Sequence, residues 1–307
     1  MTAFPSNPSA PPVERQRESK LPLLEKPLYL LPAFGLMLTF VVIPTAVTIA
    51  IGFTDWELGL PDFSFIGFEN YTELFTNPDY RKSLFNTLML NCFVVPTSLG
   101  ISLALALAIN SLSRFQGFWQ TVFFLPVTTS LVAMSIVWRW MLHPQFGLVN
   151  RLLEMVGLQS VNWLNNQSTV LFAIGCISIW QLVGYYMVLF LAGLIAIPKN
   201  LYEAAKVDGA SSSIDRFIHV TWPMLGPTSL FVFVIVVIKS FQIFDTVKVL
   251  TQGDPNKASE IMLYTLYSEG FQFFRMGIAS AVATVFFVIM LLLTLYQMRM
   301  FERHVHY

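Results

Sequence analysis

Long apolar runs separated by short polar stretches set the pattern of this chain. The runs cover approximately 28–53, 84–110, 118–140, 170–197, 222–250 and 277–300. A spanning helix needs about 20 mainly apolar residues, because the hydrocarbon core is about 30 Å thick and a helix rises about 1.5 Å per residue. Every run reaches that length, and lipid offers backbone groups no partners, so helix is the conformation predicted for each. The expected fold class is therefore an all-α membrane protein with six transmembrane helices. Residues 1–27 are different, with Pro5, Pro8, Pro11 and Pro12 ahead of Glu14-Arg-Gln-Arg-Glu18 and no apolar periodicity. They predict a disordered tail. The first apolar run is longer than a signal-peptide core of about 7–15 residues and has no small-x-small cleavage site, so it is expected to remain as an anchor. The plan is a tail at 1–27, one six-helix domain at 28–303 and a short tail at 304–307.

Composition agrees with that pattern. The 307 residues are 55% hydrophobic and 12% charged, and mean hydropathy is +0.63. A soluble chain is typically about 25% charged. Lys plus Arg (18) equals Asp plus Glu (18), so no global field attracts nucleic acid, and only local charge is informative. Placing the N-terminus in the cytoplasm puts ten basic residues inside (Arg15, Arg17, Lys20, Lys26, Arg114, Lys199, Lys206, Arg216, Arg299 and Arg303) against seven outside, with Lys239 in the bilayer. Positive-inside bias then predicts both termini in the cytoplasm. Cys92 and Cys176 lie within apolar runs and are expected to be buried small hydrophobes; two thiols make no disulfide framework. Gly100, Ala104 and Ala108 share one helix face, suited to close helix approach either within the chain or against another subunit.

The stretch Glu203-Ala-Ala-Lys-Val-Asp-Gly-Ala210 is polar and small, between the fourth and fifth runs. Pro198 is expected to end the fourth helix and Asn200 to cap a short helix from Leu201; Gly209 is expected to turn the chain into a second short helix from about Ser212. Ala204 and Ala205 give that first helix a low profile. From local physics alone the stretch is either an ordinary solvated loop or a surface on which a partner closes. The chain has no G-x-x-x-x-G-K-[ST] phosphate loop, so ATP-driven work would need another chain to bind the nucleotide.

Glu203-Ala204-Ala205-x-x-x-Gly209, followed by Pro223 at the next span, resembles the EAA loop of permease subunits in bacterial binding-protein-dependent ABC importers. The glycine-to-proline interval is one residue longer here than the family pattern, which leaves the register of the segment after Gly209 open. Phe65-Ile-Gly-Phe-Glu-Asn-Tyr71, Phe123-Phe-Leu-Pro126, Trp138-Arg-Trp140, Leu191-Ala-Gly-Leu194 with Ile197-Pro198, and Ser240-Phe-Gln-Ile-Phe-Asp245 are similar to the sugar-permease, maltose-transporter branch. The resemblance implies a permease domain over 28–303 that does no bond chemistry, with a cytoplasmic coupling helix between spans four and five. Glu203, Ala204, Ala205, Asp208 and Gly209 would be its contact with an ATPase. It also implies a second homologous permease chain, an ABC ATPase dimer that holds ATP and Mg, an extracytoplasmic substrate-binding protein, and location in the bacterial inner membrane. No cofactor is expected on this chain.

For the path itself, Lys239 sits inside the fifth run, where a Lys facing lipid would cost about 3 kcal/mol by insertion scales and so should face protein or water. A continuous helix would place Lys239, Gln242 and Thr246 on one face with Asp245 at its margin and Phe241 and Phe244 beside them. Hydrogen-bonding groups among aromatic rings suit a polyhydroxylated solute; snorkelling of Lys239 and plain ring packing are the alternative. Trp180, Gln181, Tyr185 and Tyr186 on the fourth run are secondary candidates. Trp138, Arg139, Trp140 and His143 read as an interfacial belt. Segments 54–80 and 251–276, with Trp56, Tyr71, Phe75, Phe271 and Phe273, either receive the binding protein or cap the bundle. His219, His304 and His306 have no ligand spacing, and no metal site is expected. A sugar or sugar-like polyol is the expected cargo. A tail Phe301-Glu-Arg-His-Val-His-Tyr307 similar to glycerol-phosphate permeases makes glycerol-phosphate the alternative. A stand-alone secondary transporter or channel, with Lys239 and Asp245 as a coupling element, is the alternative of another class; such a carrier has no need of the EAA loop.

Overall fold

The computed structural model describes residues 25–210 and 212–304. The N-terminal tail, Ser211 and the last three residues lie outside the described residues, and with them the expectation for the tail and for His306. The chain divides into two units at Val47–Thr48. The first ends within a helical run built from α1 (Glu25–Met37), a π-helical turn Leu38–Val42 and α2 (Ile43–Ile51). Its stretch Leu30–Ile51 is 22 residues long and apolar enough to cross a membrane.

In the second unit, α3 (Glu69–Thr76) is short and leads into α4 (Pro78–Ser111), which the Asn77 side chain caps by accepting from Asp79 N. The Asn70 amide of α3 donates to Gly52 O at 3.0 Å and Thr54 O at 2.8 Å, which closes the preceding segment onto the end of α2. The third apolar run is not one continuous helix, though its two halves together are long and apolar enough to cross a membrane. It forms α5 (Gln116–Phe124), a 3₁₀ stretch Leu125–Thr128 and α6 (Leu131–Met141), and the two parts meet at 98°. Pro126 has no N–H to continue the helix, and the Thr128 and Thr129 hydroxyls donate to Leu125 O and Pro126 O; Thr129 and Ser130 are then extended.

After α7 (Leu148–Met155) the chain enters α8 (Val170–Ile195), the most enclosed of the spans. Its Tyr186, Met187, Phe190 and Leu194 pack with Ala106 and Ile109 of α4, and with Leu225, Val232 and Val236 from the fifth run. Within lipid such contacts stabilise through close packing rather than expulsion of water. Gly184 shows how close: a Cβ there would lie 1.8 Å from Phe123 O, so α5 reaches α8 only because that side chain is missing. Small helices α9 (Lys199–Val207), α10 (Ser213–Arg216) and α11 (Trp222–Met224) follow, with a π-helical turn Phe217–Thr221 between the last two.

The fifth run is also interrupted, into α12 (Gly226–Phe241) and α13 (Asp245–Leu250). The end of α12 tightens into short bonds, Gln242 N to Lys239 O and Ile243 N to Ser240 O, and Phe244 leaves helical geometry at φ −141. Asp245 opens α13 with a carboxylate at the positive end of the new helix. The break lets Ile243 and Val247 both enter the cluster around Leu90, Val94, Val170 and Ile174. At the far end of α13, the Arg139 guanidinium donates to Val249 O and Leu250 O. Arg139 is exposed and also caps the C-terminal end of α13; Trp138 is turned against Trp180 at 5.3 Å, and Trp140 is exposed. Finally α14 (Met262–Tyr267) and α15 (Met276–His304) complete the chain. Among the described residues there are no β-strands, only bridges Thr54–Phe65 and Glu57–Arg275.

Two other expectations are overturned. Cys92 and Cys176 are exposed on the flanks of α4 and α8, where an apolar environment outside the bundle satisfies a thiol as well as a core does. Gly100, Ala104 and Ala108 are likewise exposed, and α4 turns Ser98, Ser102 and Ala106 inward; packing within the chain is thus not what the stripe serves.

Candidate coupling groove and translocation face

The polar loop folds into a groove of about 610 Å³ at the α8 C-terminal end of the unit, with Ala204, Ala205 and Asp208 on one wall and His219, Val220 and Met224 on the other. The Pro198 backbone is the cap of α9, and the helix begins at Lys199. Asn200 is consequently inside the first turn and not the cap: Pro198, with no N–H, already holds the extended geometry that precedes a helix. Gly209 has φ +97, a left-handed turn that other residues adopt at a cost, and the Ala210 amide bonds back to Ala205 O at 2.8 Å.

Beyond the turn, Ser212 and Asp215 form a reciprocal capping box. Asp215 N donates to Ser212 Oγ at 3.0 Å, and Ser212 N donates to the Asp215 carboxylate at 3.2 Å. The Ser212 hydroxyl and then its backbone amide hold the Asp215 carboxyl below the usual carboxylate range. Tyr202 Oη and Thr221 Oγ1, 3.0 Å apart, join the two walls. Ala205 rests against the core, whereas Glu203, Ala204, Asp208 and Gly209 are exposed. Sequence reasoning missed the apolar rim. Val207 is 87% and Ile214 69% exposed, among charged neighbours, and a branched apolar side chain on the outward face of a polar loop is the signal that would have found it.

The path candidates separate. Lys239 and Gln242 are exposed beside the helix break, and Asp245 and Phe244 are half-buried. Thr246 falls on α13 beyond the break and is buried, with its hydroxyl unpartnered; it does not share a face with Lys239, because the fifth helix is not continuous. Phe241 is buried against Phe286, 6.1 Å between centroids. On α8, Gln181 and Tyr186 are buried, Tyr185 is half-buried, and Trp180 faces the third run. A lysine that the sequence reading left out lies nearby: Lys248 Nζ sits 4.1 Å from the Tyr267 ring centre and 5.5 Å from that of Phe244. Phe75, Phe271 and Phe273 are exposed, while Trp56 and Tyr71 are half-buried. Among the described residues no group of three His, Cys, Asp or Glu is placed to hold a metal ion.

A multi-span helical protein with a small-residue helix standing out between its fourth and fifth runs is a membrane permease in class. The chain belongs to the family of binding-protein-dependent transport system inner membrane components, whose model matches residues 98–307. It is 36% identical over 279 residues to the probable ABC transporter permease protein YurN of Bacillus subtilis, covering 90% of this chain and 95% of that one. It is 31% identical to the sn-glycerol-3-phosphate transport system permease protein UgpA of Agrobacterium fabrum, over 80% and 83% of the two chains. A bacterial ABC transporter involved in import of the acidic polysaccharide alginate is similar in structure, with TM-score 0.78, 26% identity and 91% and 96% coverage. The chain is thus a transport subunit of an ABC importer and an inner-membrane component.

Proposed function

We propose that this chain carries a sugar or sugar-like polyol across the bacterial inner membrane as one permease of an importer with a second homologous permease, an ABC ATPase dimer and an extracytoplasmic binding protein. The observation that carries the reading is the α9 groove. Its floor is kept low by Ala204 and Ala205, Gly209 turns the chain left-handed beside it, and Val207 and Ile214 stand exposed at its rim. Exposed apolar groups around a small-residue helix are what a docking partner covers. Glu203 and Asp208 supply polar contacts at that surface. ATP and Mg belong to the partner, and its closure on α9 moves the spans between two states. In this reading both termini and the 198–224 loop are cytoplasmic.

Lys239 and Gln242, exposed at the break of the fifth helix, offer a polyol hydrogen bonds. The likeness to the sugar-permease branch supports that cargo. A second reading, a glycerol-phosphate cargo, is favoured by Lys239, which is exposed and has no carboxylate within ion-pair distance among the described residues. The test is gentle extraction of the tagged chain from native membranes and mass spectrometry of what accompanies it. An ATPase, a second permease and a binding protein are expected, and the ligand of that binding protein separates polyol from phosphate. Recovery of the chain alone, under conditions that preserve a known importer, overturns the reading in favour of a self-sufficient carrier.

A further inference from the structure

Two cavities on the α4–α8 flank join end to end. One, of about 520 Å³, has Lys82, Gln167 and Ser168 at its mouth and Phe85, Met89 and Leu171 below. The other, of about 690 Å³, runs on past Ile101, Cys176 and Ile179 and is almost wholly apolar in its lining. Phe93 and Phe172 belong to both, their rings 5.0 Å apart at the junction. The Phe93 ring lies against Gly175, where a Cβ would meet it at 2.7 Å.

Polarity along this groove follows the membrane. Lys82 is in the first turns of α4, and Gln167 and Ser168 immediately precede α8, so all three lie at the end opposite the α9 loop. From Lys82 to Phe93 the helix climbs about 16 Å, close to the roughly 15 Å depth of one hydrocarbon leaflet. At the mouth, the half-buried Lys82 ammonium donates to Asn256 O and has no carboxylate partner among the described residues. The Gln167 side chain is exposed, and the positive end of the 26-residue α8 opens beside it. A cation and a helix start over an apolar cavity that, from Lys82 to Phe93, is one leaflet deep match one kind of molecule: a phosphate ester on an acyl chain.

We infer that this groove is a binding site for an anionic phospholipid of the leaflet opposite the α9 loop. The headgroup phosphate sits at Lys82 and Gln167, and an acyl chain lies along Phe93 and Phe172. The headgroup end of the site stands apart from the fifth helix, whereas the second cavity reaches Trp180, a candidate for the cargo path.

The test is native mass spectrometry of the full chain, and of the assembled importer, after titration with phosphatidylglycerol or phosphatidylcholine of identical acyl chains. Phosphatidylglycerol is expected to be retained preferentially. Lys82→Gln should reduce that preference about fivefold, as loss of one interfacial cation does, and Lys82→Arg should restore it. Gly175→Leu, which displaces the Phe93 ring shared by both cavities, should reduce retention of both lipids. Circular dichroism and elution volume establish that each variant is folded. Equal retention of the two lipids by the native chain, or an unchanged preference in a folded Lys82→Gln protein, overturns the proposal. Retention by the lone chain that vanishes in the assembled importer also overturns it, because the groove would then be filled by a second permease.

Discussion

The two ends of this bundle use polar residues in opposite ways. At one end, segment 257–275 is tied to α4 by bonds that leave little unsatisfied. The Asn86 amide donates to Lys257 O and Glu260 O, both at 2.9 Å, and Ser83 and Thr265 share a hydroxyl contact at 2.7 Å. Glu269 accepts from Tyr80 at 3.1 Å and pairs with Arg275 at 2.5 Å, and Lys257 pairs with Asp79 at 2.8 Å. At the other end, the α9–α11 segment bonds mostly to itself and keeps Val207 and Ile214 in the open. A saturated network fixes a surface before any partner arrives, whereas a self-bonded loop with an apolar rim is finished only by what docks on it. The first end is closed by its own bonds, and the second leaves apolar surface open.

Substitutions at the two ends should therefore fail differently. The largest effect is expected from Arg275→Ala, which strands the buried Glu269 carboxylate. Arg275 is itself 44% exposed, so solvent moderates the loss to about 2 kcal/mol. Thermal unfolding of the detergent-purified chain reads this as a lower midpoint; an unchanged midpoint would mean that the network is ornamental. Gly209→Pro should leave that midpoint nearly unchanged, because φ +97 occurs in a segment with few tertiary bonds. It should nevertheless cut ATP-coupled uptake more than about tenfold, equivalent to about 1.4 kcal/mol of lost coupling. Normal uptake by this variant would make the loop an ordinary connection.

Smallest is Ser212→Ala, which removes the bond that holds Asp215 ionised. Because the folded carboxyl is depressed, its stabilisation is present above the ordinary carboxylate pKa and disappears as pH falls through the folded value. The variant should raise the Asp215 titration by NMR toward the ordinary range, with the Ser212 backbone amide still holding part of the depression, and weaken the 212–224 segment to hydrogen exchange, with uptake at neutral pH little altered. A titration that does not move would show that the capping box is not its cause.

Much of this was legible beforehand, and the parts that were not share a reason. Apolar length located helices at all six runs, because a backbone in lipid has no other way to satisfy itself. It carried no information about direction. The turn at Thr129–Ser130 and the break at Gln242–Phe244 are decided by hydroxyl bonds and by packing of Ile243 and Val247, none of which alters a hydropathy sum. Pro126 was a visible warning for the first of them. Of the Glu203–Gly209 stretch, Gly209 has a reason in local geometry that the sequence makes visible, a left-handed turn at φ +97. The roles of Asn86 and Arg139 could not be read there, because an interior amide and a cap supplied across 110 residues have meaning only once other elements are in place.

The interrupted fifth helix has a consequence that belongs to no side chain. At Asp245 the helix begins again, and its leading amides have no carbonyl of their own helix to receive them. They are dipoles whose orientation is set by covalent geometry, held beside Lys239 and Gln242. Under the proposed function, a hydroxylated cargo crossing there would meet a fragment of solvent written into the main chain, already oriented and unable to relax away. The ease of its passage would then be partly a property of the peptide backbone, which point mutation of the lining would not erase.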